Sequence, residues 1–207
     1  MEPNHGLVRL VSFGDAVVAI AITLIVLPLV DSARDIGSRP VGAFLAANAE
    51  NIFAAALSFA VIASYWKDHH HLYEDVTKST PSLINANLVW LAGIVFLPLP
   101  TVLVVESHND RVASALYVGT IFVSAGALRI QELIIVHSHL LEDGREPLPR
   151  HLWADWIVMI LLATAFVLTA TIPGLGLYPL LLVLLSRPVN WLSRRGAPPD
   201  TRRQRIL

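Results

Sequence analysis

Long apolar runs separated by short polar breaks set the pattern of the chain. A helix needs about 20 apolar residues to cross a hydrocarbon core of roughly 30 Å. Six runs approach that length: Leu7 to Val30, Phe44 to Trp66, Leu83 to Val105, Val112 to Val136, Leu152 to Ile172, and Leu175 to Leu192. The turn signal Pro173-Gly174, with Gly176 just beyond, parts the last two, and Arg187 and Pro188 interrupt the sixth. The polar breaks at 31–40, 67–82, 106–111 and 137–151 are too short to hold a soluble domain, and no internal repeat stands out. The pattern predicts an all-α integral membrane protein with a six-helix domain over 1–193 and a basic, disordered tail over 194–207. The first run has no basic stretch ahead of it and no small-residue cleavage site, so a retained helix is expected rather than a signal peptide.

Composition agrees with a lipid environment. Hydrophobic residues make up 55% of the 207 and charged residues 15%, where a soluble domain carries about a quarter charged. Mean hydropathy is +0.61. A net charge of -1 gives no reason to expect a nucleic-acid partner, and the absence of cysteine excludes disulfides, thiolate metal sites and cysteine nucleophiles. The placement of the basic residues is more informative. With six spans, one side of the membrane receives twelve of the fifteen: Arg9, Lys67, Lys78, Arg129, Arg145, Arg150, Arg187 and five tail arginines. The other side receives Arg34, Arg39 and Arg111. This asymmetry predicts both termini in the cytoplasm of a multi-pass plasma-membrane protein.

The first run carries the most chemistry. Arg9 and Asp15 stand at the start of an otherwise apolar span, where charge is costly and usually faces protein or water. Arg9 and Phe13 share a helix face, while Asp15 points elsewhere and calls for a partner on another helix. The plainer alternative is that Arg9 snorkels to the interface and Asp15 caps the helix. Ile20, Thr23, Leu24 and Leu27 fall on one stripe. Such a stripe fits a pore lining in a symmetric assembly, a packing seam or a lipid-facing surface, and a threonine within it can bond back to its own backbone.

Other polar residues have structural explanations. Arg129 and Glu132 are spaced to pair, Asp155 suits a helix N-terminus, and Asn85 and Asn87 can bond between helices. Glu50 and Asn51 suit an outer vestibule, and Trp153, Trp156 and Trp191 suit the membrane interface. The triplet His69 to His71 can change charge near neutral pH, or can be a solvated interfacial loop beside Trp66. Adjacent histidines diverge on a helix, and no carboxylate sits at metalloenzyme spacing, so neither a metal nor another cofactor is expected. An enzyme would need a nucleophile, metal cluster or acid–base pair, and none is specified. A secondary transporter would show repeats and charged groups at mid-membrane, whereas Ile20 to Leu27 holds no ionisable residue.

The segment Arg9-Leu-Val-Ser-Phe13-Gly-Asp15 resembles the R-x-x-x-F-S-D signature of the transmembrane protein 175 family of lysosomal and bacterial potassium channels. The apolar run AVVAIAITLIVLPL that follows is similar to that family's first helix. SYWKDHHHLY from Ser64 resembles its Tyr-Trp-x-x-His stretch, and NANLVWLAGIVFLPLPT from Asn85 resembles its third helix. Gly14 departs from the usual serine and removes a hydroxyl from the signature. The resemblance implies six helices per subunit, a homotetramer, and a pore lined by the first helices without a re-entrant filter loop. It implies a constriction at Ile20, a selectivity contribution from Thr23, and further pore-facing positions at Leu24 and Leu27. It also implies a supporting network of Arg9, Phe13, Asp15, Trp66 and His70. The expected activity is passage of potassium, with proton permeation or proton-coupled transport as the alternative. An isoleucine ring can close such a pore by dewetting.

Overall fold

A computed structural model of the chain describes residues 5–108, 110–141, 152–172 and 174–181. The described residues form seven α-helices and no strand: α1 (His5–Arg34), α2 (Val41–Ala47), α3 (Ala49–Tyr73), α4 (Pro81–Phe96), α5 (Pro98–Glu106), α6 (Arg111–His137) and α7 (Leu152–Thr171). Among the described residues, four stretches are long and apolar enough to cross a membrane: α1, α3, α4 continued by α5, and α6. They correspond to the first four predicted spans, and α7 falls on the fifth. Of the sixth only the start is described: after the turn around Gly174, Tyr178–Leu180 form a single 3-10 turn. Residues 182–207, with the remainder of that span and the predicted tail, lie outside the described residues, as does 142–151.

Local chemistry sets the boundaries. Asp110 caps α6, its Oδ2 accepting from the backbone N–H of Val112 at 2.8 Å. Thr80 caps α4, its hydroxyl oxygen accepting from Leu83 at 3.2 Å, and Pro81 stands at the first helical position. The predicted second span is divided at Asn48, which leaves helical geometry at φ -105°, ψ 17° and bonds back to the Phe44 carbonyl. In the third span Pro98 and Pro100 lack the N–H groups that would reach Ile94 and Phe96, yet Leu97 keeps helical dihedrals and the path continues into α5. Two helices outrun their predicted ends. α1 continues four residues past Val30, with Pro28 inside it. α3 continues past Trp66 to Tyr73, so the histidine triplet lies on a helix and not in a loop.

The core gathers around α4 and α6. Trp90, Ile94, Ile62, Tyr117, Val118 and Leu128 are fully buried. A small residue lets these two helices approach closely: a Cβ on Gly93 would overlap the Ser124 Oγ. α7 rests on the far side of α6, where Phe166 covers Gly119 and stacks on Phe122 with ring centres 6.5 Å apart. On the near side α1 packs against α3, α4 and α5, with Gly14 turned toward Leu91. The segment after α3 folds over the end of α6, and the Thr77 backbone N–H donates to the Leu140 carbonyl at 2.9 Å.

Candidate pore helix and its polar support

α1 has two unlike faces. Leu7, Gly14, Val18, Ala21 and Ile25 are buried against the neighbouring helices. Half a turn away lies the predicted stripe. Ile20 is 60% exposed, Leu24 41% and Leu27 46%. Thr23 is exposed beside them, and its hydroxyl donates to the Ile20 carbonyl at 2.7 Å. The donor of Thr23 is thereby consumed within its own helix, and the oxygen presents lone pairs to the surroundings. Arg9 and Phe13 lie on the same outward face, and Phe13 is 54% exposed.

Asp15 points instead toward α3. There the Trp66 indole N–H donates to Asp15 Oδ1 at 2.8 Å. The indole stacks on His70, with ring centres 5.4 Å apart and planes 22° from parallel. His70 and His71 in turn lie 3.7 and 3.3 Å from the Glu74 carboxylate. The structure thus joins Asp15, Trp66 and His70 in one chain of contacts. It does not bring Arg9 or Phe13 into that chain: among the described residues Arg9 has no ion pair and Phe13 no ring stack.

A second network, one turn away, runs through His69. Its ring is sandwiched between Trp90, 4.2 Å away and nearly parallel, and Tyr73, 4.4 Å away. His69 Nε2 lies 2.8 Å from Asn87 Oδ1. Since that oxygen only accepts, Nε2 carries the hydrogen. Tyr73 continues the network to α6 by donating to Gln131 Oε1 at 2.9 Å. α3, α4 and α6 are therefore cross-linked at the end of the molecule where Asp15 meets Trp66. Of the two asparagines expected between helices, Asn87 is buried in this role and Asn85 is exposed. Arg129 and Glu132 pair at 2.6 Å.

Sequence reasoning left His69 undistinguished from His70 and His71, because the three are alike by type. The spacing of His69 from Trp66 and Tyr73, three before and four after, would have marked it once the helix was known to continue. Also missed was a buried row of hydroxyls between α3, α5 and α6. Ser58 Oγ lies 2.8 Å from Thr101 Oγ1 and 3.0 Å from the Tyr117 hydroxyl. Thr101 gives its proton to the Leu97 carbonyl at 2.8 Å.

Residues 9–98, which include most of α1 and all of α2, α3 and α4, match the family described as endosomal/lysosomal potassium channel TMEM175. A potassium channel of Chryseobacterium sp. (strain P1-3) is 33% identical over 128 residues, covering 62% of this chain and 64% of the relative. A potassium channel of Streptomyces collinus (strain DSM 40733 / Tue 365) is 33% identical over 129 residues, 60% of this chain and 61% of the relative. The chicken (Gallus gallus) protein named endosomal/lysosomal proton channel TMEM175 is 36% identical over 113 residues, 49% of this chain and 23% of that protein. The chain thus spans about three fifths of the length of the bacterial relatives. The matched region contains both the outward stripe of α1 and the Asp15–Trp66 contact that braces it, and over that region the chain is similar to the family so described.

Proposed function

We propose that this chain is one subunit of a homotetrameric, potassium-preferring cation channel of the plasma membrane, with its termini in the cytoplasm and α1 lining the conduction path. The observation that carries this reading is the outward face of α1. Ile20, Leu24 and Leu27 are exposed on the single subunit while the opposite face is packed. A lone subunit with one such helix cannot enclose a path, so the reading requires other copies.

In that assembly Ile20 forms the narrowest ring. A ring of branched aliphatic side chains repels water when narrow and conducts once widened enough to wet. Thr23 stands one turn beyond. With its proton held by the Ile20 carbonyl, its oxygen offers a neutral ligand to a partly dehydrated cation, and neutral ligands release an ion more readily than carboxylates do. The Asp15–Trp66 contact fixes the end of α1 against α3, which the His69 network ties in turn to α4 and α6. Lipid and potassium are then the partners, and no cofactor takes part.

The bacterial relatives carry the name potassium channel, which supports potassium as the permeant ion. The name of the chicken relative supports proton permeation as a second reading. Both are tested by reconstituting the purified protein in liposomes under a potassium gradient, with a sodium control and an internal pH dye. Potassium flux above sodium flux is expected. Absence of ion flux under every gradient and pH removes the channel reading, and acidification without potassium flux favours the proton reading.

A further inference from the structure

Because α1 remains helical to Arg34, the stripe does not end at Leu27. Ile20, Leu24, Leu27 and Asp31 follow one another at intervals of four, three and four. Asp31 stands above Ile20 by about three turns, some ~16 Å along the axis. We infer that Asp31, restrained by Arg34, is a further conduction-determining residue of the proposed channel, setting the electrostatic potential at the outer mouth of the path. The inference rests on the pore reading of α1.

The local geometry gives this position its properties. Asp31 Oδ1 accepts from Arg34 Nη1 at 2.9 Å, and the two side chains are 55% and 74% exposed. Arg34 is three residues on and lies over the same stripe. The pair is therefore nearly neutral as a unit, weakly held and open to screening. The nearby Arg39 is engaged otherwise, donating to the backbone carbonyls of Asp35 and Ile36. Symmetric copies bring one such pair per subunit around the axis. Removing either partner then leaves a ring of like charge in front of a narrow apolar constriction, where low-dielectric walls focus the field on an entering ion.

The signs are opposite for the two partners. Asp31→Asn leaves Arg34 uncompensated, and entry of potassium from the outer side is expected to fall about threefold or more at low ionic strength. The deficit should shrink as salt shortens the Debye length from about 30 Å at 0.01 M to about 3 Å at 1 M. Arg34→Gln leaves Asp31 uncompensated and is expected to raise entry by a similar factor. The double variant returns close to wild type.

The chain has no cysteine, which gives a second measurement free of background. Asp31→Cys is treated from the outer side of a planar bilayer with a cationic or an anionic thiosulfonate. The cationic reagent is expected to reduce inward current and the anionic reagent to increase it.

Variants that assemble normally by size exclusion, conduct like wild type at every salt concentration and ignore the sign of the reagent would overturn the inference. An Ile20→Asn control that still alters conductance would then leave the pore reading standing. If wild type and Ile20→Asn both pass no ions, the pore reading falls and this inference falls with it.

Discussion

The indole N–H of Trp66 reaches Asp15 across 2.8 Å, tying the lining candidate α1 to α3 through a bond between residues 51 positions apart. Trp66→Phe keeps the aromatic face against His70 and removes the donor. A hydrogen bond to a charged acceptor contributes roughly 1.5–3 kcal/mol, but Trp66 is 39% exposed, so solvent screening brings the expected loss nearer ~1 kcal/mol. Thermal unfolding in detergent checks the loss. An unchanged melting temperature would mean that Asp15 is satisfied equally well by water.

Replacing Ile20 with Asn puts an amide into the proposed constriction. The expected outcome is a higher basal conductance, read as single-channel open probability in planar bilayers, because a polar ring holds water where an aliphatic ring expels it. Current equal to or below wild type would count against Ile20 as the gate.

Thr23→Ala removes a hydroxyl that is bonded to its own helix, so little stability should be lost. Discrimination between potassium and sodium should weaken, visible as a shift in reversal potential under bi-ionic conditions. Identical reversal potentials would take Thr23 out of the selectivity account and leave it as a helix-bonded threonine.

Gly93→Ala tests the close approach of α4 to α6. The added methyl meets the Ser124 Oγ, and the cost of forcing α4 away from α6 is about 1–3 kcal/mol. Adding Ser124→Ala removes the overlapping oxygen and should recover most of that loss, since the remaining contact, to the Ser124 Cβ, is 3.3 Å. A double variant as unstable as Gly93→Ala alone would show that the serine oxygen is not what sets the spacing.

Hydropathy recovered the spans whose apolar length exceeds what a loop can explain: α1, α6, and the α4–α5 pair. It failed where polar residues continue a helix. Lys67 to His71 reads as a loop by type, yet His69 is buried because Trp90 and Tyr73 cover both faces of its ring. Partners distant in sequence supply that burial, and a local window cannot register them. The interruptions at Asn48 and Leu97 were hidden for the opposite reason. Each lies within apolar sequence, and what breaks the backbone ladder is one bonding asparagine or a pair of missing proline donors. The outward stripe of α1 was legible because it depends on helical periodicity alone. Asp31 was not, because its membership of the stripe depends on where the helix ends.

The hydroxyl row of α3, α5 and α6 bears on proton movement. Thr101 spends its hydrogen on the Leu97 carbonyl. Ser58 must then donate to Thr101, and Tyr117 to Ser58. The row has a single polarity from Tyr117 to Leu97. A Grotthuss relay needs each member to accept a proton on one side, release another on the other, and afterwards turn round. An amide carbonyl has no hydrogen to release, so the row passes no hydrogen beyond Leu97. The Leu97 carbonyl ends this row of hydrogen bonds, and the row clamps α3, α5 and α6 together.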